Sequence, residues 1–313
     1  MRSDGVLLLG GTGFVGKCLA ARLKTLGKKC YIVGRNASMI HNEVSGDYYV
    51  SSLDNIQMLK ELLPRCRVVI HLASDTTPGA SVLQPTLEVT SNLLPSLRLL
   101  EELQKYSHLS LVYVSTGGAI YGDYCGDKAT EEMQVLPQSY YGAGKAAFEQ
   151  FIHAYVKQTG NHAIILRPSN LYGPGQPYRP GFGIIPTIFH HLSNSKTMEV
   201  WGDGEIVRDY LYIDDFIDCC VKIINDLHGE YKARVYNVGS GNGTSLNTLF
   251  NMIESISTYK VKRNYSPVRA VDVNKVVLDG SRIQNDYHWK SKTDLCAGLL
   301  KAWTWFQAHT QLK

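Results

Sequence analysis

The sequence predicts an α/β fold, a doubly wound parallel sheet with a smaller, mixed C-terminal portion. Three observations lead there. A glycine-rich turn, Gly10-Gly11-Thr12-Gly13-Phe14-Val15-Gly16, joins a short apolar run to a stretch of helical period. Apolar runs of strand length then recur at 30–33, 68–72, 110–114 and 163–166 with helical stretches between them, the alternation of a parallel sheet. Beyond the Gly- and Pro-dense stretch 172–183 the segments become shorter and more mixed. The expected division is therefore 1–170, with later segments returning to it, and 171–313, with the ligand between them.

The first element is Gly5-Val6-Leu7-Leu8-Leu9, a strand. After the turn, Val15, Cys18, Leu19, Leu23 and Leu26 keep a helical period. Strand, glycine turn and helix together make the context of a dinucleotide site. Gly10 permits the tight turn, Gly13 lets backbone approach a pyrophosphate, and Gly16 lets helix and strand pack closely. The helix N-terminus then faces the phosphates. The second strand ends in Gly34-Arg35-Asn36. A site for NAD usually places a carboxylate there to bond both ribose hydroxyls. Its absence, with a guanidinium beside it, favours NADP over NAD.

Helices are expected over 92–104 and 141–156, and both are apolar on more than one side. One face of each should cover the sheet, and the surplus predicts a homodimer surface. A final helix, 293–309, carries Leu295, Leu299, Trp303 and Phe306 on its apolar stripe.

Composition excludes several classes. Hydrophobic content is 44%, charged content 19% and net charge only +4, with Lys and Arg scattered, so no nucleic-acid partner is expected. No apolar run approaches the about 18 residues of a membrane span. The N-terminus leads straight into a strand, so no signal peptide is expected. Seven cysteines, an odd number without zinc spacing, predict reduced thiols in a cytoplasm and no metal site. His190 and His191 are adjacent, so on a helix they point about 100° apart and make a poor metal pair.

Tyr141 and Lys145 carry the chemistry. Four residues apart, they share one helical face. A phenol is a poor base at its free pKa of about 10. A neighbouring ammonium and an oxidised nicotinamide both favour phenolate, which could take a hydroxyl proton while hydride leaves. Upstream, Val114-Ser115-Thr116-Gly117 closes the run 110–114, where an open α/β sheet binds ligands.

With these pieces in place the chain resembles the extended short-chain dehydrogenase/reductase family, in its nucleotide-sugar epimerase and dehydratase branch. The resemblance covers nearly the whole chain. It is carried by Val69-Ile70-His71-Leu72-Ala73, by Asn92 at the start of a helix, and by Arg167-Pro168-Ser169-Asn170-Leu171-Tyr172-Gly173-Pro174. It continues through Gly202-Asp203-Gly204, Arg208-Asp209-Tyr210, Tyr236-Asn237-Val238-Gly239 and Arg269-Ala270-Val271-Asp272. It implies a Rossmann-like sheet and cofactor contacts from Gly10, Thr12, Gly13, Phe14, Val15, Gly16, Arg35, Asn36 and Leu53. Further along, cofactor contacts are implied for Leu72, Ala73, Ser74, Asn92, Val114, Tyr141, Lys145 and Pro168. For the nucleotide sugar it implies Thr76, Ser115, Gly117, Asn170, Ile184, Ile185, Arg208, Arg269, Asp272 and Val276. Arg208 and Arg269 would clamp the diphosphate, since guanidinium forks meet phosphate oxygens bidentately.

Besides Gly34-Arg35, two positions depart from the family pattern. Gly117 stands where the catalytic Ser or Thr falls, so Thr116, the nearest hydroxyl, takes that role. Ser52 stands where an aspartate is common near the adenine, which leaves Leu53 for the ring. The activity implied is C4 epimerisation of a UDP- or dTDP-hexose with NADP or NAD. The rivals are an NADPH-dependent 4-keto sugar reductase and a non-catalytic cofactor sensor. Retention of Tyr141, Lys145, Asn170 and Arg208 argues against the sensor.

Overall fold

The computed structural model describes residues 4–35, 47–76, 84–227, 233–268 and 273–310. Asn36, Arg269 and Asp272 lie outside the described residues. In chain order the elements are β1 (Gly5–Leu9), α1 (Phe14–Thr25), β2 (Cys30–Gly34), β3 (Asp47–Val50), α2 (Ile56–Leu62) and β4 (Cys66–His71). A π-helical turn, Glu88–Leu93, leads into α3 (Leu94–Leu103). Then come β5 (Ser110–Val114), α4 (Tyr140–Thr159), β6 (His162–Pro168), β7 (Asn170–Tyr172), α5 (Ile184–Ser193), β8 (Met198–Trp201) and β9 (Val207–Tyr212). The chain continues with α6 (Ile213–Asn225), β10 (Ala233–Val238), β11 (Gly243–Ser245), α7 (Leu246–Ser257), β12 (Arg263–Ser266), β13 (Lys275–Val276), α8 (Ser281–Tyr287) and α9 (Leu295–His309).

Two compact units result. The first combines Met1–Thr116, Tyr140–Arg167 and Ile217–Tyr236. Its sheet has seven strands in the order β10-β6-β5-β4-β1-β2-β3. The pairings β1 with β2, β1 with β4, β2 with β3, β4 with β5 and β5 with β6 are all parallel. This is the doubly wound, Rossmann-like order, and its direction reverses at β1 and β4. β1, β2 and β5 are buried at every residue, which is why they read as continuous apolar runs. Leu7, Leu9, Val33 and Val69 of the strands pack with Leu99, Leu103, Phe148 and Ile152 of α3 and α4.

The sequence misplaces two details in this unit. Asn92, expected to begin a helix, sits inside the π-helical turn that precedes α3. β3 was not expected, because Asp47-Tyr48-Tyr49-Val50 is an edge strand without a buried apolar face.

The second unit combines Gly117–Ser139, Pro168–Phe216 and Asn237–Lys313. In its mixed sheet β9 pairs in parallel with β7 and β13 and antiparallel with β11. A second, parallel pair joins β8 to β12. Its core gathers Ile188, Phe189, Leu249, Phe250, Leu299 and Trp303. Asp209 of β9 is 1% exposed. Its carboxylate accepts from the Ser240 amide (2.9 Å) and hydroxyl (2.7 Å), the Gly241 amide (3.0 Å) and the Leu278 amide (3.2 Å). That one buried charge holds the 239–241 turn and the segment after β13 against β9.

Candidate active site

In the first unit, Gly10, Arg35, Leu72, Ala73 and Val114 lie at the carboxyl ends of β1, β2, β4 and β5. The Gly10 and Gly11 amides both donate to Val33 O, at 3.0 and 3.1 Å, which folds the turn over β2. Gly10 has φ +80°, and a Cβ there would stand 2.7 Å from the Ala73 backbone. A Cβ on Gly16 would run into the backbone of Gly11, whereas one on Gly13 would meet only Gly10 O, at 3.3 Å. α1 therefore starts tight against the strand at Phe14 and Val15. Gly13 supplies no side-chain cap, and no acidic residue stands in the first turn. Such a helix start is open to a phosphate.

Gly34 has a local reason of its own. A side chain there would press to 2.5 Å on the Thr12 hydroxyl. Next to it, Arg35 Nη1 donates to Asp75 Oδ2 at 2.6 Å. Sequence reasoning missed Asp75, which lies forty positions along the chain. Asn92 fixes that loop: its Oδ1 accepts from the Asp75 amide (2.8 Å) and its Nδ2 donates to Thr76 Oγ1 (2.7 Å). Leu72 continues the β4–β1 ladder, donating to Leu9 O at 2.9 Å. Ser74 Oγ donates to Thr76 O (3.3 Å). Leu53, expected at the adenine, packs partly buried on the sheet core.

Tyr141 and Lys145 come from the first turns of α4. Lys145 Nζ donates to Val114 O at 3.0 Å and lies 5.8 Å from the Tyr141 ring centroid and 5.0 Å from that of Tyr113. Burial lowers the Lys145 ammonium to about 8, against the pull of Glu88 and Glu149. Burial first, then the Glu88 charge, pushes the Tyr141 phenol well above its ordinary value. Ser115 donates its amide to Leu166 O (2.8 Å), while its buried hydroxyl has no partner. Thr116, expected as the catalytic hydroxyl, is partly exposed beside it. His71 is a core residue: Nε2 lies 2.8 Å from Ser96 Oγ, and burial pushes the imidazole down to about 3.

In the second unit, the Gly117 amide donates to Pro168 O at 2.7 Å. Asn170 opens β7, half-buried. Ile184 and Ile185 are the first residues of α5, and Ile185 enters the core. Arg208 in β9 donates Nη1 to Val207 O at 2.9 Å. Val276 is its register partner on β13 and is buried.

An uncapped helix start, backbone contacts that demand glycine, and an orphaned buried hydroxyl at the end of β5 fit a dinucleotide. Gly10, Gly13, Gly16 and Ser115 would hold such a group, and the chemistry it would supply is hydride exchange with a carbinol carbon. Lys145 is anchored at the end of β5 by its bond to Val114 O and lies beside the Tyr141 ring.

Residues 6–239 match the model of the NAD dependent epimerase/dehydratase family. A UDP-glucose 4-epimerase of Mycolicibacterium smegmatis is 28% identical over 317 residues, covering 97% of this chain and 99% of that protein. A dTDP-4-dehydro-6-deoxyglucose reductase of Escherichia coli is 26% identical over 318 residues, covering 96% of each. A solved UDP-glucose 4-epimerase of Thermus thermophilus in complex with NAD is similar with a TM-score of 0.88 at 27% identity, covering 98% of this chain and all 100% of that one.

Proposed function

The chain belongs to the NAD dependent epimerase/dehydratase family, and from that premise we propose that it inverts C4 of a UDP- or dTDP-hexose through a transient 4-keto sugar. The observation that carries this reading is the Tyr141–Lys145 pair, with Tyr141 half-buried and Lys145 buried and held at the end of β5 by its bond to Val114 O. Tyr141 takes the O4 proton as hydride leaves C4. The keto sugar turns over, and the same phenol returns the proton after hydride arrives on the other face. Thr116 bonds the sugar oxygen, with Ser115 beside it. Asn170, Arg208 and Arg269 hold the diphosphate.

The test supplies UDP- and dTDP-hexoses and follows product and absorbance at 340 nm together. C4 inversion with flat absorbance is the expected result. Stoichiometric NADPH oxidation on a 4-keto-6-deoxy sugar, with no inversion of any hexose, would replace this reading by the reductase. The Gly117-Gly118 pair favours the epimerase, because it leaves room for a keto sugar to swing, whereas a reductase is served by one fixed pose.

NAD is the cofactor of this reading. Arg35, which in the sequence favours NADP, is already paired with Asp75. The exposed pair is worth only about 0–1 kcal/mol, but the Asp75 carboxylate, fixed by Asn92, would oppose a 2′-phosphate.

Val276 leaves space near C2 of the sugar. Val276→Tyr should depress kcat/KM on N-acetylhexosamine nucleotides more than on plain hexose nucleotides. Equal losses on both would count against this pocket.

A homodimer through α3 and α4 completes the proposal. Leu94 of α3 and Phe151 of α4 are exposed apolar residues, as is Val89 in the turn before α3. Light scattering at micromolar concentration should give twice the 34.9 kDa chain mass, and a monomer mass would refute it. All seven cysteines are free thiols, which supports a cytoplasmic location. No helix among the described residues is long and apolar enough to cross a membrane.

A further inference from the structure

Glu88 is a buried carboxylate that the proposed chemistry does not use. It opens the π-helical turn Glu88–Leu93 and is 5% exposed. Oε2 accepts a 2.9 Å bond from Asn92 Nδ2, while Oε1 is buried without a hydrogen-bond partner. Removing a carboxylate from water is costly unless another charge compensates it. π-helical turns are rare and concentrate at functional sites.

The facing helix is shaped for this side chain. A Cβ on Gly144 of α4 would stand 2.9 Å from Glu88 Oε2 and 3.4 Å from Glu88 Cβ. Gly144 directly precedes Lys145. The charges around Lys145 are unequal in standing. Glu149, one turn along α4, is already held by Arg167 of β6 through bonds of 3.1, 3.2 and 2.6 Å. Tyr113 of β5 and Tyr141 of α4 are neutral phenols whose ionisation burial opposes. His71 of β4 is held neutral by burial and by Lys145 itself. That leaves Glu88 as the carboxylate not matched by a guanidinium, and Glu88 is the strongest of the charges that oppose burial at Lys145.

We propose that Glu88 is a positioning residue of the Tyr141–Lys145 pair, its buried carboxylate seated against Gly144 and tied to Asn92 as the counter-charge to Lys145. The inference rests on the reading of Tyr141 and Lys145 as the reacting pair. Burial first, and that negative charge second, oppose ionisation of Tyr141.

The test is a titration of the full chain with 13C-labelled lysine ε-carbons, without cofactor or substrate. The Lys145 resonance is assigned with Lys145→Met, and folding of each variant is checked by circular dichroism. Glu88→Gln keeps the shape and an acceptor for Asn92 but loses the charge. The Lys145 midpoint should fall by about one pH unit. Glu88→Asp, which keeps the charge, should hold the midpoint near that of the wild type. Gly144→Ala, which crowds the carboxylate, should lower it in the same direction and carries the test if Glu88→Gln does not fold. A midpoint unmoved in the folded variants would overturn the proposal. Absence of C4 inversion by the wild-type protein would overturn the reaction assigned to the pair and leave this titration standing.

Discussion

Tyr141→Phe should lose about 10²–10⁴-fold in kcat, the range that removal of a general acid–base covers, and should bind its cofactor almost as the wild type does. Only the phenol oxygen is lost. The ring stays under the Lys145 ammonium, and the Lys145–Val114 bond does not involve the oxygen. In the protein alone burial and Glu88 hold the phenol protonated, so its ionisation belongs to the loaded enzyme and to the reacting step. Steady-state rates on a UDP-hexose, with cofactor affinity measured separately by calorimetry, separate the two effects. Wild-type kcat in the Phe variant would remove Tyr141 from the mechanism. A matching loss of cofactor affinity would mean that the phenol binds rather than reacts.

The second large effect is on stability. Arg167→Leu should destabilise the folded chain by about 3–5 kcal/mol, the cost of leaving one partner of a buried ion pair uncompensated. Arg167 and Glu149 are 5% and 1% exposed at the side chain, so water cannot replace the lost guanidinium. Urea unfolding should show a lower midpoint with an unchanged slope. The double variant Arg167→Leu, Glu149→Leu should recover much of the loss, because apolar residues of similar volume often match a buried pair. If the single variant is as stable as the wild type, the pair is not closed to solvent in the way its burial implies.

Much of the frame was legible because the central strands are buried on both faces and leave continuous apolar runs. The glycine turn was legible for a different reason: backbone contacts at 10 and 16 admit no side chain. What escaped has physical causes. β3 is an edge strand of mixed exposure, so it carries no apolar run. Glu88 was invisible because a glutamate one turn before Asn92 reads as a solvated helix face, and only Gly144 on another helix shows otherwise. Asp209 stood within the quoted Arg208-Asp209-Tyr210 without a role, since the amides it gathers come from positions 240, 241 and 278. Arg35 was read without Asp75 for the same reason, as nothing local links them. Tyr141 and Lys145 were found by spacing, but spacing says nothing about burial, and burial is the largest influence on both groups.

The glycines of the first turn differ in how much room their surroundings leave for a side chain. At Gly10 and Gly16 a side chain collides with backbone, so a library screened only for folded protein would recover these positions as glycine. A Cβ on Gly13 would meet one carbonyl, Gly10 O, at 3.3 Å, so folding alone would admit alanine there only if that carbonyl gives by a few tenths of an ångström. Only a screen that demands turnover would then restore the glycine. The contrast between the two screens would separate a glycine that a ligand requires from those that the chain requires of itself.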